Sequence, residues 1–252
     1  MTPDPAHTQA SYRLRMEWGP TGAAATAGSG GVAVVVDVLS FTTTLGVAAE
    51  RGIGVLPFRW RDERAASYAA ENDAVLAVGR VEAKGGSGVS LSPASLLTVE
   101  GVDRIVLPSP NGSSISFGLA ESGVAVVGAS LRNRRAVASY AAAQGGVVTV
   151  VAAGERWPDD SLRPAVEDLW GAGAVLAALA DLGVDDLSPE ARVAEAAFRA
   201  VQPGLFGALR SCASGRELVD SGFAEDVEVA ADLDVAAVVP VLVGRMFVRG
   251  PQ

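Results

Sequence analysis

Short β-branched runs alternate with alanine-rich stretches along most of the chain, and this alternation predicts the architecture. Val32–Val36 is uninterrupted apolar sequence, as expected of a strand buried on both faces. Residues 45–51 read as a helix that stops at Gly52. Strands are predicted over 53–58 and 74–78, with a helix over 62–71 between them. Residues 79–95 break the pattern and are rich in Gly and Ser. It resumes with strands over 104–107, 124–127 and 147–151, and helices over 113–121, 132–143 and 164–182. Ser188-Pro189 looks like an N-cap and first-turn pair opening a helix to about residue 200. Shorter helices near Leu205 and Glu217 lead into an apolar run over 238–248.

The β-α-β-α order argues for an α/β fold with a parallel or mostly parallel sheet and helices on both faces. Such sheets place ligands at the carboxyl ends of their strands. The expected organisation is an N-terminal segment, 1–30, partly flexible, followed by a single α/β domain over 31–250. Two similar merged halves, about 31–100 and 101–250, are compatible with the pattern, although the internal similarity is too weak for a repeat.

Composition narrows the chemistry. Of 252 residues, 49% are hydrophobic and 19% charged, enough for a sizeable core. A net charge of -9 argues against nucleic acid or an anionic membrane surface as partner. No apolar run is long enough to span a membrane. Residues 1–10 lack a secretory segment, so a cytoplasmic location is expected. A homo-oligomer is left open.

His7 and Cys212 are the only histidine and cysteine. A Ser-His-Asp triad, a phosphohistidine and a His/Cys metal centre are therefore excluded. The sequence after Cys212, Ala-Ser-Gly-Arg, is too short for a cysteine-phosphatase loop. Catalysis would rest on carboxylates, hydroxyls, amides and arginines, with a hard cation such as Mg²⁺ held by oxygen alone.

Four strand ends share one design: an apolar strand, a loop of polar or small residues, then a helix start. At the first, Asp37 emerges from a buried strand and Thr42, Thr43 and Thr44 open a helix. A carboxylate there can ligate Mg²⁺ or take a proton, and helix amides with hydroxyls can bind phosphate. The second carries Ser109, Asn111, Gly112, Ser113 and Ser114, a tight turn whose amides face a helix start. The third carries Ser130, Arg132 and Asn133, offering a guanidinium fork and an amide.

At the fourth, Gly154 and Glu155 precede Glu167 and Asp168. Small residues Gly171, Ala172 and Gly173 follow, as in a helix passing close to other backbone. Taken alone, the first two loops also read as turn and helix caps, the arginines of the third as solvated charge and the paired acids of the fourth as surface charge. The catalytic candidates are Asp37, Glu167 and Asp168. Candidate metal ligands are drawn from Asp37, Glu82, Glu167 and Asp168, and the candidate partner is a small phosphorylated acid.

In this order the loops resemble the 2-phosphosulfolactate phosphatases. The matching pieces are Asp37-Val38-Leu39 with Thr42-Thr43-Thr44, then Asn111-Gly112-Ser113, Gly128-Ala129-Ser130 with Asn133, and Ala136-Val137-Ala138. Ala153-Gly154 and Glu167-Asp168 follow. Late in the chain come Ser214-Gly215-Arg216-Glu217-Leu218, Gly222-Phe223-Ala224-Glu225-Asp226 and Val239-Pro240.

The resemblance spans about residues 32–243. It implies a three-layer α/β/α fold and a Mg²⁺-dependent hydrolysis of 2-phosphosulfolactate to sulfolactate in coenzyme M synthesis. The family has arginine after Asp-Val-Leu, where Ser40 stands here. Its Gly-Glu and Asp-Leu-Gly-Asn-Ser-Pro stretches appear here as Gly79-Arg80-Val81-Glu82 and Ser90-Leu91-Ser92-Pro93. These departures fall at candidate substrate contacts and bear on the sulfonate specificity. A non-catalytic binder of a phosphorylated metabolite is the alternative function.

Overall fold

A computed structural model describes residues 4–27, 31–60, 62–84 and 88–251. The chain runs β1 (Leu14–Trp18), α1 (Gly19–Thr26), β2 (Val32–Val36), α2 (Phe41–Glu50), β3 (Gly54–Phe58), α3 (Arg64–Glu71), β4 (Val75–Leu76), α4 (Arg80–Lys84) and α5 (Pro93–Leu96). It continues β5 (Arg104–Pro108), α6 (Gly112–Glu121), β6 (Ala125–Ala129), α7 (Arg134–Gln144), β7 (Val148–Ala152), β8 (Glu155–Arg156), β9 (Leu162–Arg163) and α8 (Val166–Asp181). It closes with α9 (Pro189–Val201), α10 (Leu205–Ser211), α11 (Ala213–Asp220), α12 (Ala224–Ala231), β10 (Pro240–Val243) and β11 (Met246–Arg249).

Nine strands form one sheet in the order β1-β7-β2-β6-β10-β11-β3-β5-β4. Strand β2 shows why the apolar run was legible. Val32, Val34 and Val36 enter one core cluster with Val148, Val150 and α8, while Ala33 and Val35 enter another with α2 and α6 residues. Both faces are covered, which makes the fold a three-layer α/β/α arrangement. Each fully buried valine contributes on the order of 1.5–3 kcal/mol of apolar transfer.

Helix α8 crosses close to β2, as the small residues predicted. A Cβ on Gly171 would lie 2.6 Å from Val38 Cγ2, and one on Gly173 only 1.9 Å from the Ala194 carbonyl oxygen of α9. The α9 start is also as read, with Ser188 Oγ accepting from Ala191 N–H and Pro189 in the first turn.

Two expectations of organisation change. Residues 14–26, placed in a partly flexible leading segment, supply edge strand β1, paired in parallel with β7, and helix α1. The signal was the alternation of Leu14, Met16 and Trp18 with Arg15 and Glu17. The halves also do not divide at about residue 100. Strands β1, β7, β2 and β6 run parallel as one group, and β3, β5 and β4 as another.

The antiparallel β10–β11 hairpin, made from the apolar run at 238–248, joins the two groups and reverses their sense. Each group therefore draws strands from both sides of residue 100.

Candidate active site

Asp37 follows the last residue of β2, and its carboxylate sits between two helix starts. It accepts an N–H from Phe41 at 3.1 Å, and the backbone N–H of Gly112, the first residue of α6, also acts on it to lower its pKa. Although β2 and β5 run in opposite senses, their following loops thus meet on one carboxylate. That approach needs a glycine, since a Cβ on Gly112 would stand 2.2 Å from Phe41 Cδ1.

Around Asp37 opens a cleft of about 450 Å³ lined by Ser40, Thr44, Ser109, Asn111 and Glu155, with Arg80, Arg156 and Arg163. The short β8–β9 hairpin brings in Glu155, Arg156 and Arg163 as a flap. Asn111 links flap and turn. Its Nδ2 donates to Glu155 Oε2 at 3.0 Å, and its Oδ1 accepts from Arg156 Nε at 3.1 Å.

Burial, and then the charge of Glu155, raises the Asp37 pKa to about 7 against the two N–H groups that lower it. Glu155 is also raised, first by burial and then by Glu167, while Asn111 and Arg163 lower it. Two carboxylates that resist ionising together are what the cleft offers.

A family model described as 2-phosphosulpholactate phosphatase matches residues 21–245. The chain belongs to the 2-phosphosulpholactate phosphatase family. It is accordingly an enzyme, a phosphoric monoester hydrolase. A relative from Deinococcus radiodurans, named as a probable 2-phosphosulfolactate phosphatase, is 32% identical over 84% of this chain and 88% of its own. Relatives of the same name from Thermotoga petrophila and Thermus thermophilus are 29% and 31% identical, covering 86% and 85% of this chain and 91% and 89% of theirs.

The 2-phosphosulpholactate phosphatase motifs divide sharply in their placement. Asp37, Thr44, Ser109 and Asn111 line the cleft. The threonine hydroxyls, expected to hold phosphate, are spent on carbonyls: Thr42 on Asp37, Thr43 on Val38, and Thr44 on Ser40 and Leu91. Ser113 is buried against the Leu107 carbonyl, and Ser114 lies off the cleft. What Gly112 supplies is its backbone N–H.

The third loop is a joint and does not reach the cleft. Asn133 accepts from Ser130 N–H and donates to the Val238 carbonyl, while Arg132 pairs with Glu50 and Asp232. Both side chains serve to fasten the 229–238 segment against β6.

Asp168 is a clamp. Its Oδ1 accepts from Val38 N–H at 2.7 Å and its Oδ2 from Gly154 N–H at 2.8 Å, tying the ends of β2 and β7 together. Burial, then Asp37 and Glu167, push its pKa well up. Glu167 is buried near the same acids and acts on both Asp37 and Glu155 through its charge, outside the cleft lining.

Glu82 is exposed on α4 and does not line the cleft. Among the described residues, no three acidic, His or Cys side chains are grouped to hold a metal ion.

Ser40 and Arg80, which the resemblance puts at candidate substrate contacts, do line the cleft, and the residues not assigned to the site from sequence are Glu155, Arg156, Arg163, Ser214 and Glu217. Ser40, standing where the family has arginine, receives Arg80 Nη2 at 2.7 Å. Glu155 was within reach of the pattern, being next to Gly154 at a strand end. The flap arginines were not, because a two-residue hairpin leaves almost no periodicity.

Proposed function

We propose that this chain hydrolyses the phosphate monoester of a small hydroxy acid, with 2-phosphosulfolactate as substrate and sulfolactate as product. The observation that carries the reading is Asp37, a buried carboxylate with a pKa raised to about 7, at two helix starts in a cleft that also holds Glu155. Helix starts and arginines attract the phosphoryl anion. A carboxyl group titrating near neutrality can exchange a proton with the reacting water or the leaving oxygen.

Mg²⁺ fits this cleft in a specific sense. Asp37 and Glu155 give oxygen ligands only, and their mutual repulsion would be relieved by a cation. One or two carboxylates with retained waters is the coordination Mg²⁺ accepts. Bound there, it would supply charge neutralisation at the phosphoryl oxygens. Asp37 and Glu155 would hold it, in place of the Glu82 and Asp168 sites. Asp168 is better assigned to holding the β2 and β7 ends at the distance this cleft requires. The setting proposed is a cytoplasmic step of coenzyme M synthesis.

A panel of phosphorylated hydroxy acids, assayed for phosphate release with Mg²⁺ and with chelator, tests the reading. Release from 2-phosphosulfolactate that stops on chelation and falls roughly a hundredfold or more in Glu155→Gln is expected. No release from any ester, despite measurable ligand binding, would leave the chain a binder.

A further inference from the structure

Arg80 opens α4, and its side chain is largely withdrawn from solvent, 18% exposed. Its Nε donates to Asp226 Oδ2 at 2.5 Å and its Nη2 to Ser40 Oγ at 2.7 Å. Asp226 is itself buried, and its other oxygen takes the Ser92 hydroxyl and the Ala94 N–H at 3.2 Å. The plane of the guanidinium is therefore set by α12 and by the residue before α2. Its Nη1 meets no acceptor among the described residues, yet Arg80 lines the cleft and also an adjoining cavity of about 680 Å³.

The other two arginines of the cleft are employed differently. Arg156 is spent on Asn111, Asp160 and the Pro110 carbonyl. Arg163 reaches Ser214 Oγ at 3.5 Å and acts on Glu155, whose proton affinity it lowers. Both belong to the flap. Arg80 comes from a different wall. A guanidinium held in plane, with unused N–H groups at a cleft, is a receptor for a planar or trigonal anion.

We propose that Arg80 determines specificity by binding the acid group, carboxylate or sulfonate, that the substrate carries besides its phosphate, with Asp226 and Ser40 as its positioning residues. The proposal rests on the phosphatase reading above for the identity of the substrate. It goes beyond that reading in naming the residue that selects an acidic carbon skeleton.

Calorimetric titration with two probes, sulfolactate and inorganic phosphate, tests it on the wild type, Arg80→Met and Arg80→Lys. Arg80→Met is expected to weaken sulfolactate binding roughly tenfold or more, the range for a hydrogen bond to a charged group, and phosphate binding far less. Arg80→Lys, which restores charge without the fork, is expected to fall between. In turnover of 2-phosphosulfolactate, Arg80→Met should raise KM more than it lowers kcat, a split that mere structural damage would not produce.

Sulfolactate binding as tight in Arg80→Met as in the wild type overturns the proposal, and so does an equal loss of both probes. Should Arg80→Met fail to fold, wild-type sulfolactate affinity in Arg80→Lys overturns it. Binding of sulfolactate that depends on Arg80 in a protein releasing no phosphate would remove the phosphatase reading and keep this one. Turnover with an unchanged KM in Arg80→Met would do the reverse.

Discussion

Asp37, which follows β2, and Asp168, in the first turn of α8, are both buried aspartates beside the end of β2, and the structure separates their roles by what each oxygen touches. Asp168 has one N–H on each oxygen and lies outside the cleft. Asp168→Ala would orphan the Val38 and Gly154 N–H groups, at roughly 1–3 kcal/mol for each. A lowered melting temperature is expected, with loss of activity following the loss of fold. Asp37→Asn should behave in the opposite way. The amide oxygen can still accept from Phe41, and a buried charge is removed, so the melt should hold or rise. Phosphate release should fall by orders of magnitude, mainly in kcat. An active Asn variant would end the catalytic assignment.

At the scale of elements, the site is made by two helix starts brought together and not by any one loop. Helix α6 reaches Asp37 only because Gly112 lets its backbone pass the Phe41 ring. Gly112→Ala would force a methyl group into that ring, an overpacking cost of about 1–3 kcal/mol. Because the strain falls on the N–H that lowers the Asp37 pKa, kcat should drop even in preparations that remain folded at the assay temperature. Equal kcat in the alanine variant would show that the α6 amide is dispensable. The Ser130-Asn133 loop has the same sequence style, yet its polar atoms close on 229–238. Strand-loop-helix punctuation is shared by both loops, and only the neighbour that each meets distinguishes a site from a joint.

For the molecule as a whole, the buried acids couple stability to pH. Asp37 moves up from 3.8 to about 7, chiefly by burial, and Glu155 and Asp168 move in the same direction. The folded state binds these protons more tightly than the unfolded chain. Their stabilisation is complete below the unfolded carboxylate value and is lost as pH rises through the folded ones. The metal-free protein should therefore melt at a lower temperature at pH 8 than at pH 5, and Asp37→Asn should flatten that slope. Turnover that needs Asp37 ionised should rise over the same range. Mg²⁺, by binding the ionised form, should shift the midpoint to lower pH. A melting temperature independent of pH between 5 and 8, with and without Mg²⁺, would contradict this electrostatic account.

The sequence by itself determined what depends on local pattern. Val32–Val36 could only be a strand covered on both faces, Ser188-Pro189 a helix start, and Gly171 with Gly173 a close crossing, because each follows from short-range sterics and period. Asp37, Ser109 and Asn111 were legible as strand-end polar residues for the same reason. Tertiary structure alone decided which of them share a cleft. Pairing across the β10–β11 hairpin joins strands far apart in the chain, so the division near residue 100 had no local signature. Hydroxyl and carboxylate groups have several partners available, and the threonines, Asp168 and Arg132 went to backbone or structural ion pairs because buried polar groups must be satisfied first. Glu155, Arg80 and Arg163 came to the cleft from a short flap and a one-turn helix, elements too brief for periodicity to show where their side chains lie.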